Sequence, residues 1–144
     1  MIAALAAQVG CGAPPKLLVL LSDDIFAPAQ LVAELSTVFF DRQPAIRRDG
    51  LEIFFASDRP GDGAAGFLDL WVSTRATPWD PWGAPVNLQS PVNSAGNDAG
   101  PALSFDGTTL YFQSRGSVGG STAFDLFVTT RTKLKGHAVD QNQD

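Results

Sequence analysis

A chain of 144 residues with 44% hydrophobic and 17% charged content is long enough for one domain with a real core. It is neither disordered nor a charge-rich helical protein, and a net charge of −5 without a basic stripe argues against nucleic acid, whose binding draws on phosphate neutralisation. One Cys and one His exclude an intramolecular disulfide and nearly exclude a Cys/His zinc site, while only two Glu, Glu34 and Glu52, are few for paired-carboxylate catalysis.

Fourteen Gly and ten Pro favour short strands joined by turns. Residues 1–22 form an apolar start broken by Gly10, Gly12, Pro14 and Pro15, too interrupted for a membrane span of roughly 20 apolar residues. It lacks the basic segment of a secretory signal. "QVGC" is faintly similar to a lipoprotein cleavage site with Cys11 as the lipidated residue; the alternative is a free thiol on a ragged start. Lys16–Ser22 is expected as the third strand of an earlier unit and Ala27–Leu31 as its fourth, so that residues 23–42 hold an outer strand and a crossover.

From residue 43 the chain repeats itself. Pro44-Ala45 recurs as Pro101-Ala102, Asp49-Gly50 as Asp106-Gly107 and Ile53–Ser57 as Leu110–Ser114, each 57 residues on. The spacing then drops to 56, and "LDLWVSTR" (Leu68–Arg75) recurs as "FDLFVTTR" (Phe124–Arg131). Backwards, "APAQL" (Ala27–Leu31) matches "APVNL" (Ala84–Leu88).

Each copy predicts a strand (43–47, 100–104), an Asp-Gly hairpin turn, a second strand (51–57, 108–114), a glycine-rich loop and a third strand ending at Arg75 or Arg131. Alternation points Ile53, Phe55 and Ser57 one way and Glu52, Phe54 and Ala56 the other. Apolar residues on both faces predict a sheet packed on two sides. Pro85–Leu88 predicts a fourth strand, its Pro suited to an edge, and Gly136–Asp140 a degenerate counterpart. The repeats span 43–99 and 100–131, and a polar tail covers 132–144.

Four short antiparallel strands per repeat is the grammar of a β-propeller blade. The expected fold is all-β, a partial β-propeller of about two to two and a half four-stranded antiparallel blades. The motifs "PAIRRDGLEIFFASDRPG", "DLWVSTR", "PWGAPVNL" and "DLFVTTR" resemble the WD-like repeat of TolB-like bacterial propellers over about 90 residues. Two departures stand out: Arg47-Arg48 replaces the Ser kept at Ser104, and the second copy lacks the Asp and Pro of Ser-Asp-Arg-Pro-Gly. The resemblance implies a non-catalytic module in the periplasm or at the cell surface that binds a protein or cell-envelope ligand or acts as a scaffold.

Closed propellers have about four to eight blades, so further blades or self-association are needed to cover the apolar end faces. The expectation is a fragment of a larger propeller, since the pattern is already under way at residue 1, with ring assembly of copies as the alternative.

Asn97 and Asp98, in the polar crossover Asn93–Pro101, and Trp79 and Trp82, in the aromatic–proline stretch Thr77–Pro85, are the candidate ligand-binding residues. The recurring Asp69 and Asp125 read either as carboxylates that hold their own hairpin or, for Asp69 with Asp58 and Asp62, as a weak calcium site without EF-hand spacing. Arg59 and Arg115 read as partners of those Asp residues or as anion contacts, and Asp49, Gly50, Asp106 and Gly107 as turn residues. No cofactor or catalytic residue is expected: His137 lies in the tail and no G-x-S-x-G elbow occurs. The competing class is the propeller part of a hydrolase, either a sialidase-type glycosidase or a peptidase whose catalytic domain lies elsewhere.

Overall fold

The computed structural model describes residues 26–64, 67–115 and 122–132. The chain divides into two compact units, Met1–Gln30 and Leu31–Asp144, and every described strand lies in the second. The described residues are all-β, without helix. β1 (Asp41–Ile46), β2 (Glu52–Ser57), β3 (Asp69–Thr74) and β4 (Val86–Asn87) form one antiparallel sheet in that order. β5 (Asp98–Leu103), β6 (Thr109–Arg115) and β7 (Phe124–Thr130) form a second.

The repeat in the sequence is a repeat of backbone geometry. β1 carries a bulge between Arg42 and Ala45, and β5 carries the same bulge between Ala99 and Ala102. Gln43 and Gly100, one repeat apart, both take positive φ there, 55° and 63°. Pro44 and Pro101 follow, each in a position where a missing ladder N–H does least harm. The bulge is thus the reason for the recurrent Pro-Ala. Each hairpin then closes on its Asp-Gly: Gly50 and Gly107 adopt φ of 74° and 71°, and their N–H groups donate to Arg47 O and Ser104 O.

The side-chain alternation has the expected consequence. Phe54, Ala56 and Leu70 point into a core shared with Ala99, Leu110 and Phe112 of the second sheet. On the opposite face Phe55 and Trp71 pack with Leu35, and Ile53, Ala64 and Trp82 border them. Burying each large apolar side chain contributes about 2 kcal/mol, so both faces of the first sheet add to stability. The second sheet buries one face only. Its other face leaves Tyr111 54%, Val128 57% and Leu126 88% exposed.

Three expectations need adjustment. Ala27–Leu31 forms no strand, and Lys16–Ser22, expected as the strand before it, lies outside the described residues. The fourth strand shrinks to Val86–Asn87, where only Trp71↔Asn87 and Val72↔Val86 pair. The inner strands begin two residues early, at Asp41 and Asp98, because those carboxylates anchor the strand start. The stretch Gly136–Asp140 also lies outside the described residues.

Candidate functional site

The crossover into each inner strand is tied by one recurrent carboxylate. Asp41 Oδ2 accepts the Thr37 N–H at 2.7 Å and the Thr37 hydroxyl at 2.8 Å. Asp98 Oδ2 accepts the Ser94 N–H at 2.6 Å and the Ser94 hydroxyl at 3.0 Å. The other oxygens differ. Asp41 Oδ1 accepts Ser57 Oγ at 2.7 Å and the Arg59 guanidinium, which also donates to Leu35 O and lies over the Phe55 ring. Burial pushes the Asp41 carboxyl up, but the bonds from Arg59, Ser57 and Thr37 outweigh it and leave the group below its ordinary value. Asp98 is fully buried and its Oδ1 makes no hydrogen bond. Arg115, the counterpart of Arg59, is exposed and donates instead to Thr122 O.

The same crossover is stitched to β3 by carboxamides. Asn97 Oδ1 accepts the Leu68 N–H, and the Asp98 N–H donates to Leu68 O. Asn93 brackets Leu70, accepting its N–H at 2.8 Å and donating to its carbonyl at 3.0 Å. Asn93 also donates to Asn87 Oδ1, and Asn87 donates to the buried Asp69 carboxylate at 3.0 Å. Asp69 is therefore bonded across to β4. Asp125 stands at the matching place opposite Ser114, half-buried.

At the other end of the strands Arg75 donates to Gly50 O and Arg131 to Gly107 O, again one repeat apart. Arg75 then stacks over Trp82 at 4.1 Å. Arg131 reaches across to the first sheet and grips Glu52 with two N–H groups, at 2.7 and 2.5 Å. The hydrogen bonds to the Glu52 carboxylate raise the Arg131 pKa above its ordinary value, so this guanidinium stays charged. Arg47 joins it at 3.3 Å. Between the sheets, beside this pair, lies a cavity of about 200 Å³ lined by Phe54, Leu88, Val92, Leu103, Leu110 and Arg131.

The turn carboxylates act locally. Asp49 Oδ1 accepts Arg47 Nε and the Leu51 N–H, and Asp106 Oδ1 accepts the Ser104 hydroxyl and the Thr108 N–H and hydroxyl. The Ser104 and Thr108 bonds pull the Asp106 carboxyl down to about 2. The calcium candidates are not gathered: Asp58 accepts the Phe40 N–H, Asp69 is buried against Asn87, and Asp62 is exposed. Among the described residues no three His, Cys, Asp or Glu are grouped to hold a metal ion.

Of the four candidate ligand contacts, Asn97 is half-buried and Asp98 fully buried, and both hold the crossover. Trp82 is half-buried under Arg75. Trp79 stands apart from them, 93% exposed on a short turn whose geometry is set by three bonds. Asp80 accepts the Thr77 N–H through its carboxylate and donates its own N–H to Thr77 O, while the Trp79 N–H donates to Thr77 Oγ1. Sequence reasoning missed Asp41, Asn87 and Asn93. The signal for Asp41 was present, since Thr37, Asp41 and Ser57 recur as Ser94, Asp98 and Ser114 at the same 57-residue spacing. Comparison with protein-family models, with curated proteins and with solved structures returned no match.

Proposed function

We propose that this chain is a non-catalytic binding or scaffolding module built from propeller-type repeats, with its ligand contact centred on Trp79. Three features support the repeat reading: strand order, bulge and carboxylate tie all recur at one spacing. The resemblance to TolB-like repeats supports the propeller type and a place in the periplasm or at the cell surface. Two carboxylates that are largely withdrawn from water are taken up by ion pairs within the fold, Glu52 by Arg131 and Asp41 by Arg59.

One observation carries the binding reading. Trp79 offers a nearly whole indole on a turn already held in shape, flanked by Pro78 and Pro81. A rigid aromatic loses little conformational freedom on contact and suits a proline-rich peptide or the apolar face of a sugar. Calorimetric titration of the chain with proline-rich peptides and with oligosaccharides tests it. The expected result is saturable binding that weakens at least about tenfold in Trp79→Ala, about 1.4 kcal/mol, with the melting temperature unchanged. Equal binding by both proteins would remove Trp79 from the site, and turnover of a glycoside or peptide would favour the hydrolase class.

A further inference from the structure

The repeat reveals what should cover the open face of the second sheet. Phe54, Leu70 and Val72 of the first sheet correspond to Tyr111, Leu126 and Val128 of the second. The first set is packed in the shared core. The second set is at least half-exposed. What lies on the first set is the face of the second sheet that carries Leu103, Leu110 and Phe112. One repeat earlier, those positions are Ile46, Ile53 and Phe55, which share the outer face of the first sheet. Phe55 at the centre of this face is covered by Leu35 and Arg59, while Ile46 is 54% exposed and Ile53 half-buried, so the apolar surface the face still offers lies at its edge.

The chain therefore carries one half of that interface open, on the second sheet, and the edge of the other half, at Ile46 and Ile53. We propose that the open face of the second sheet docks against the outer face of the first sheet of a second copy, head to tail. This rests on the repeat reading above and not on the Trp79 contact. A local detail fits the same scheme. Arg48 lies 4.1 Å over the Phe105 ring between the two sheets, and Arg48 and Phe105 are one repeat apart. In the proposed contact Phe105 stands where Arg48 stands now, and Arg48 of the second copy stands where Phe105 does. The cation–aromatic pair re-forms with its roles exchanged.

A head-to-tail contact uses two different patches, so it generates a ring if the rotation closes and a filament if it does not. With two sheets per copy, roughly two to four copies reach the blade number of closed propellers.

The test uses the full-length chain with Cys11→Ser, so that introduced thiols are the only ones. Phe54 and Leu110 line one cavity within the molecule, and their counterparts at the proposed contact are Tyr111 and Ile53. Tyr111→Cys and Ile53→Cys proteins are treated with a short bis-maleimide, separately and as an equimolar mixture. Cross-linking in the mixture but not in either protein alone supports the head-to-tail contact. Cross-linking of Tyr111→Cys alone means like faces meet, and overturns it. Sedimentation gives the second readout. The unmodified chain should run well above its single-chain mass of 15.2 kDa. Leu126→Arg, an exposed substitution that spares the fold, should return it to that mass. A chain that runs as a monomer at all concentrations overturns the proposal while leaving the repeat fold and the Trp79 reading intact.

Discussion

Asp41 and Asp98 hold the same place in the two repeats but not the same company. Asp41 faces the Arg59 guanidinium, and both side chains are largely withdrawn from water. Removing the charge at Asp41 leaves a buried cation short of its partner, a loss that costs about 3 kcal/mol. Asp98 bonds Ser94 through one oxygen and leaves the other without a hydrogen bond. An Asn there keeps an acceptor for Ser94 and puts its amide where that second oxygen was. Asp41→Asn should therefore lower the urea midpoint clearly, and Asp98→Asn should change stability by less than about 1 kcal/mol. Equal losses at the two sites would mean that Arg59 adds nothing to Asp41.

The inner strand of each repeat is bent by its bulge, and the bend depends on one residue in the left-handed region. At Gly100 φ is 63°, and a Cβ would come within 3.4 Å of the Gln113 side chain. The second strain is small, but the first is not, since a β-carbon in that region costs about 1–2 kcal/mol. Gln43 bears that cost at the equivalent site, and its side-chain oxygen accepts the Gly100 N–H at 3.0 Å. Gly100→Ala should lower stability by about 1–2 kcal/mol in chemical denaturation, without altering the far-ultraviolet spectrum of the folded protein. No loss would mean that the bulge relaxes to another register.

For the molecule as a whole, acid is the informative stress. The folded state lowers the carboxyl pKa of Asp41, Asp49 and Asp106, the last to about 2 from an ordinary 3.8. A depressed folded value means that these bonds stabilise the protein above the unfolded pKa and are lost as pH falls through the folded one. The window opens near pH 3.8 and closes near 2. The urea midpoint should fall between pH 5 and pH 2.5, and Asp106→Asn should start lower but fall less over the same range. A midpoint that rises on acidification contradicts the assignment. At this scale, too, the two sheets share one core and a charged clasp, Glu52 with Arg131, so the repeats should unfold together.

Most of the strand plan was legible in the sequence, because side-chain alternation and Asp-Gly turns are local signals that recur at one spacing. The Pro-Ala of each inner strand, the two-faced apolar pattern of Ile53–Ser57 and the turn glycines all follow from that local chemistry. The fates of the polar candidates were not legible. Asn97 and Asp98 read as crossover residues, and only the packing of that crossover against Leu68 and Leu70 shows them engaged inside the fold. Trp79 and Trp82 differ by three positions in one stretch, yet Arg75, from the preceding strand, covers one and leaves the other in solvent. The sequence by itself determined which residues alternate, turn and repeat, since those depend on neighbours in the chain. The tertiary structure alone decided which carboxylate meets a guanidinium, which indole stays bare and which sheet face stays open. Each of those depends on groups that the chain brings together from far apart.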